Sequence, residues 1–223
     1  MDRTGTGLNS RFRLSRIEGF LAAGWPIAPG AWWDERDLSY RCGRLDCCHR
    51  IRGLHPVGGE LKPVQEVKPW QRSPATVLLL TGLGIDVLEV DLRTVAGEPI
   101  LAGLSRSGPV ALLDVALPRL LLPVAAPGAT TLPVSSVGGF ARRTGVAGVG
   151  LHGAGSWVAL PPARVRGGAT RWVTSPRAVD WVLPDVASVL DVLRSGPGGS
   201  DLQPVSATGT TAWGRRFARG GVS

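Results

Sequence analysis

The stretch RCGRLDCCHRIRGLHP, residues 41–56, holds all three cysteines of the chain and two of its three histidines. Cys42, Cys47, Cys48, His49 and His55 fall within fourteen positions, a concentration that suits a metal clip, a disulfide or a reactive thiol. The N-terminal MDRTGTGLNSRFR carries no apolar run behind its charges, as a secretory signal would. The most apolar stretch, Val110 to Ala126, is broken by Asp114, Pro118, Arg119 and Pro123 and is too interrupted to span a membrane. These features point to a cytoplasmic protein, where thiols stay reduced, and the odd cysteine count also argues against a disulfide framework. A structural zinc ion is the leading expectation. Zinc takes four nitrogen or sulfur ligands in a tetrahedron, often from short Cys-x(2–4)-Cys spacings plus His. Cys42, Cys47 and His55 supply three of them. The fourth is Cys48, His49 or water, and because adjacent cysteines rarely ligate one ion comfortably, His49 is favoured over Cys48.

A second constellation is IDVLEVDL, residues 85–92. On a strand, residues two apart share a face, so Glu89 and Asp91 project together while Asp86 points away. Two carboxylates on one face are what a divalent-metal phosphoryl-transfer site requires, because hard cations take oxygen ligands. They are equally compatible with a solvated strand face. A third, LHGAGSWVALPPAR at 151–164, places His152 before a glycine-rich turn and a strand ending in Pro161-Pro162. A single histidine in such a place is more often structural than catalytic. The turn TGLG at 81–84 has neither a GxGxxG pattern nor a Walker lysine beside it and is too short to claim as a phosphate loop.

The formal net charge is +8, and Lys62 and Lys68 are the only lysines, so arginine supplies the other 23 cations. Guanidinium forks match phosphate oxygens in bidentate fashion, which suits a polyanionic partner such as nucleic acid. A GC-rich genome would produce the same preference for Arg over Lys without any functional cause.

These residues need elements to position them. Residues 1–13 read as a loose arm. Ser15 and Glu18 form a capping-box pattern, Ile17, Phe20 and Leu21 share a helical face, and the helix should stop near Gly24 before Trp25-Pro26. Residues 30–73 are loop-rich and include the Cys/His loop, 40–56. Thr76–Leu80 and Ile85–Leu92 read as strands joined by TGLG, a hairpin pattern. A short helix fits 95–104, apolar strands with Pro/Gly breaks fill 108–162, and Asp185–Leu193 is a helix with Val186, Val189, Leu190 and Leu193 at core spacing. Residues 196–223 read as a flexible basic tail. The whole is α+β, with one large domain over 14–195.

In this order, a helix ending in GWPI, a Cys/His loop ending in HP, LLLTGLGIDVLEVD and then GLHGAGSWVALPP, the chain resembles the N-terminal domain of bifunctional DNA primase/polymerases, the Prim-Pol family, and in RWVTSP and LPDVASVLDVL its actinobacterial members. The resemblance covers roughly residues 14–195. It implies a mixed sheet of the archaeo-eukaryotic primase type with flanking helices and a zinc-stabilised loop. It also implies nucleotidyl transfer on a DNA template in replication, with DNA and nucleotides as partners. Glu89, Asp91 and, under a shifted alignment, Asp86 would hold Mg²⁺ or Mn²⁺, and His152 would lie at the nucleotide. No helicase motif follows the domain, so a replicative helicase would be a separate partner.

The chain also departs from the family pattern. The first cysteine of the family's CSCG falls at Tyr40, its third metal carboxylate at Gly150, and a nucleotide-contacting histidine near Ala141. These departures imply a second reading: a catalytically degenerate relative that binds nucleic acid or a replication partner. A small-molecule enzyme on another fold ranks last, since no nucleophile–base set is present.

Overall fold

A computed structural model describes residues 5–44, 53–58, 61–71, 73–93, 98–126, 142–144 and 146–195. The elements in chain order are α1 (Gly5–Ala22), β1 (Ile27–Gly30), β2 (Trp32–Asp34), β3 (Ser39–Arg41), α2 (Lys68–Gln71), β4 (Thr76–Leu80), β5 (Ile85–Asp91), α3 (Glu98–Ser107), β6 (Val110–Asp114), β7 (Arg119–Ala125), β8 (Arg142–Arg143), β9 (Val149–His152), β10 (Trp157–Ala159), β11 (Ala163–Val165), β12 (Gly168–Thr174) and α4 (Val186–Ser195). Among the described residues, no helix is long and apolar enough to cross a membrane. The tail expected over 196–223 lies outside the described residues.

Helix α1 begins at Gly5, within the stretch 1–13 that the sequence suggests as a loose arm. Nothing from Leu8 to Leu14 breaks a helix, and the Ser15/Glu18 pair lies inside it rather than capping it. Its end is where the sequence places it. The Trp25 amide donates to the Phe20 carbonyl at 2.9 Å and the Gly24 amide to Leu21 at 3.0 Å, a Schellman pair closed by Gly24 at φ 72°.

Seven strands form the main sheet in the order β11-β12-β6-β7-β5-β9-β8, and three form a second sheet in the order β1-β4-β10. The expected mixed sheet is antiparallel in every ladder; the one parallel contact among the described residues is an isolated bridge, Ala125 to Asp185. The expected β4–β5 hairpin is absent, because the two strands belong to different sheets. Strand β5 already has β7 on one edge and β9 on the other, leaving no side for β4. The TGLG turn therefore carries the chain from one sheet to the other. At Gly82 (φ 84°) a Cβ would lie 2.2 Å from the Cα of Ala154, so only glycine lets this turn seat against the turn between β9 and β10.

Alternation along β5 assigns its two faces. Leu88 and Val90 join Leu120, Leu122 and Val124 under Ile100 and Leu104 of α3 and Val189 and Leu193 of α4. Ile85 and Val87 join Leu121, beneath Ile17 and Phe20 of α1 and Leu79 of β4. Each fully buried leucine contributes roughly 2 kcal/mol by removal of apolar surface from water. The helices expected at 95–104 and 185–193 form at 98–107 and 186–195. Two cores thus clamp β5 from both faces, and its carboxylates emerge where the apolar packing stops.

Candidate functional site

Strand β5 places Glu89 and Asp91 on the same face, as their spacing requires, and its neighbours bring the rest. Across β7, Asp91 is directly opposite Arg119 and Glu89 opposite Leu121. Across β9, Glu89 is opposite Gly150 and Val87 opposite His152. Directly opposed residues share a face, and diagonal neighbours two positions away remain within reach of long side chains. The diagonal reach explains the cluster. Arg119 extends back to Glu89, placing Nε 3.0 Å from Oε1, with a terminal nitrogen 3.8 Å from Asp91 Oδ2. His152 Nε2 is 2.8 Å from Glu89 Oε2, and its Nδ1 is 3.0 Å from the Ser156 hydroxyl. A carboxylate only accepts, so Nε2–H donates to Glu89, while Nδ1 meets the Ser156 hydroxyl on the other side of the ring.

Arg93 completes the set. Its Nε and terminal nitrogen donate to Asp91 Oδ1 and Oδ2 at 3.0 and 2.7 Å, a bidentate fork, and its own amide donates to Oδ1 at 3.0 Å. The Asp91 carboxyl is held at about 2, first by the Arg93 side-chain bond, opposed by burial, and then by the Arg93 amide and the Arg119 charge. Burial pushes Glu89 up, but the hydrogen bond and charge of His152 and the charge of Arg119 outweigh it and leave the group below its ordinary value. Both carboxylates are ionised, and the side chains of Asp91 and Arg119 are only 4% and 9% exposed.

Asp86 is not part of this cluster. It is opposite Val124, on the face of Leu88 and Val90, and its Oδ1 accepts the Gly82 amide at 2.9 Å. Burial pushes its carboxyl up. Its work is to shape the TGLG turn. Asp114 is exposed at the end of β6.

The geometry can be compared with what a divalent ion needs. A hard cation requires several oxygens directed at one point, yet all four carboxylate oxygens of Glu89 and Asp91 already meet an arginine or the histidine. Gly150, directly opposite Glu89, carries no oxygen ligand where a third would project. Two guanidinium charges already face the two carboxylates. The residues present do not fit a divalent ion, and among the described residues no group of three or more His, Cys, Asp or Glu could hold a metal.

In the Cys/His loop, Cys47, Cys48 and His49 lie outside the described residues, as does the side chain of Ala141. Cys42 is buried with Ala31 and Tyr40. His55 Nδ1 is 2.9 Å from the Gly53 carbonyl. Donation by Nδ1–H to that carbonyl selects the tautomer in which Nε2 carries the lone pair, as in a metal-ligating histidine. Tyr40 packs edge-on against Trp33 (ring centroids 5.1 Å), and its hydroxyl accepts the Arg166 amide at 3.0 Å.

A cleft of about 250 Å³ lies away from the carboxylates. It is bounded by α1, β2, the start of β4 and residues 161–164, and its lining includes Arg13, Arg16, Trp32, Trp33 and Arg164. Arg13 is anchored through donation to the Trp70 and Ser73 carbonyls at 2.5 and 2.7 Å, neutral acceptors that leave its charge in place. Arg164 pairs with exposed Glu35. Arg16 is exposed.

Sequence reasoning missed Arg93, Arg119 and this cleft. The only signal for Arg119 was a lone cation just before the apolar run Leu120–Leu122.

An antiparallel sheet with an acidic inner strand, α3 and α4 on one face and α1 with a second small sheet on the other defines an α+β domain whose candidate site lies on β5. Residues 19–186 match the family model described as bifunctional DNA primase/polymerase, N-terminal, or Prim-Pol. The chain belongs to this family. No curated protein matches it significantly.

Proposed function

We propose that this chain is a Prim-Pol domain that binds nucleic acid without efficient template-directed nucleotidyl transfer. The observation that carries this reading is the engagement of every Glu89 and Asp91 oxygen by Arg119, Arg93 or His152. With Gly150 opposite Glu89, no cluster of open carboxylates remains to hold Mg²⁺ or Mn²⁺ on a nucleotide's phosphates. Binding is supported by family membership, the net charge of +8, and the cleft where Arg13, Arg16 and Arg164 accompany Trp32 and Trp33. Arginine with exposed aromatic surface suits a single strand, whose phosphates meet cations while bases stack. The test pairs primer extension with DNA binding across a salt series. The reading expects little or no extension and an affinity that falls steeply with salt. Robust extension abolished by Glu89→Gln and Asp91→Asn would restore the polymerase reading. Affinity that is flat in salt would remove the polyanion.

The cytoplasm as compartment and a structural zinc on the Cys/His loop belong to the same proposal. Cys42, Cys47, His49 and His55 are the ligands we propose. The His55–Gly53 bond supports this reading because it orients the ring as second-shell contacts do. Metal analysis of protein purified without chelator should give about one zinc per chain. Cys42→Ser should destabilise more than Cys48→Ser, and equal tolerance of both would remove the ligand assignment.

A further inference from the structure

The Arg119 guanidinium lies between two ionised carboxylates, with Nε 3.0 Å from Glu89 and a terminal nitrogen 3.8 Å from Asp91. It is only 9% exposed. Its register opposite Asp91 is set by β7, whose apolar residues Leu120, Leu121 and Leu122 pin that strand into both cores. The cation is therefore delivered by the fold rather than drawn from solution. We propose that Arg119 is a built-in counter-ion, a guanidinium standing where a divalent ion would bridge Glu89 and Asp91, so that this face excludes metal and any ligand binding by the domain is independent of Mg²⁺ or Mn²⁺. The proposal rests on the reading that the site lacks nucleotidyl transfer and names the residue responsible.

Three features on the page support it. Two guanidinium charges, Arg119 and Arg93, already face the two carboxylates. Arg93 clasps Asp91 through both oxygens, which removes the open oxygens a second coordination site would use. Finally, a divalent ion a few ångströms from a buried guanidinium would be repelled with little screening. An added carboxylate at position 150 would therefore not create a metal site while Arg119 remains. Replacing both should.

The experiment is Mn²⁺ binding followed by electron paramagnetic resonance, on wild type, Gly150→Asp, Arg119→Gln with Gly150→Asp, and Arg119→Lys with Gly150→Asp. Near-UV circular dichroism checks folding. We expect no saturable Mn²⁺ site in wild type or Gly150→Asp, at least tenfold tighter binding in the Arg119→Gln double variant, and exclusion restored by lysine. DNA affinity of the wild type should not change on adding Mn²⁺ or chelator at fixed ionic strength. Saturable Mn²⁺ binding by the wild type that Glu89→Gln abolishes would overturn the proposal. So would a Gly150→Asp single variant binding as tightly as the Arg119→Gln double. The single variant and the wild type decide the matter even if the double variant does not fold. Primer extension is scored separately. A wild type that neither extends primers nor excludes Mn²⁺ defeats the counter-ion alone, whereas one that extends primers defeats the underlying reading.

Discussion

The carboxylate face of the main sheet and the cleft beside α1 both gather arginines, but they use them in opposite ways. At β5, Arg119 from the interior and Arg93 from the surface both spend their charge on Glu89 and Asp91. At the cleft, Arg13 is held by two carbonyls, which fix its position and leave its charge, and Arg16 is exposed. A guanidinium paired with a buried carboxylate offers little field to a ligand. One braced by neutral oxygens offers nearly all of it. A high arginine count is therefore a poor guide to a binding surface until each partner is known. Here the partners divide a structural cluster from an open one.

The largest effect that could break this comparison is at Arg119. Removing one member of a buried charge group leaves the others uncompensated, which costs roughly 3–5 kcal/mol. Arg119→Ala should lower unfolding free energy by about that much in denaturant titration, while leaving single-strand affinity of the folded fraction nearly unchanged. A loss of DNA affinity larger than the loss of stability would place Arg119 in the binding surface instead.

The cleft should respond the other way. Trp33 supports Tyr40, so Trp32 is the cleaner probe. Trp32→Ala should weaken single-strand binding by roughly 1–3 kcal/mol, the usual worth of one stacked base, with little change in stability. Arg16→Gln should weaken binding uniformly across sequences and reduce the salt slope by about one. If neither variant moves affinity, nucleic acid does not use this cleft.

Much of this arrangement was legible in the sequence, and the reasons for the rest are physical. Period-two spacing put Glu89 and Asp91 together and Asp86 apart, and Gly150, singled out by the resemblance, lies opposite Glu89. Gly24 ended α1 and the α4 core positions held, because local chemistry decides both. Strand partners were not legible. TGLG looked like a hairpin turn, yet β5 pairs with β7 and β9, a choice made by which apolar faces fill the two cores. Arg119 was hidden for the same reason. It is 28 residues from Asp91 in sequence, across α3, and becomes its neighbour only through register. The Cys/His loop stands apart, since Cys47, Cys48 and His49 lie outside the described residues.

An acid titration sharpens the comparison within β5 itself. Asp91 at about 2 has a folded value below the unfolded value of about 3.9. Its contribution is complete above the unfolded value, declines as pH falls below it, and is gone below about 2. Glu89, also lowered, adds loss of the same sign. Stability should therefore fall as pH drops from 5 towards 2, and Asp91→Asn should flatten that fall. An unchanged acid limb in Asp91→Asn would mean that the Arg93 fork contributes nothing.

Asp86 carries the smallest effect and the opposite sign. Its carboxyl is raised by burial, so the folded chain holds that proton more tightly than the unfolded chain. The group costs stability once pH is above its folded value and costs none in acid. Its structural duty is one acceptor, Oδ1 for the Gly82 amide, and an asparagine oxygen can take the same bond while removing the buried charge. Asp86→Asn should thus leave the fold intact and be neutral or stabilising by less than about 1 kcal/mol at pH 7, with any gain vanishing in acid. The measurement is paired denaturant titrations of wild type and variant at pH 7 and in acid. Clear destabilisation at pH 7 would show that the ionised carboxylate, not merely an acceptor, holds the TGLG turn between the two sheets. Asp86 would then be a charged partner in the fold like Asp91, and the division between the two faces of β5 would fail at its first residue pair.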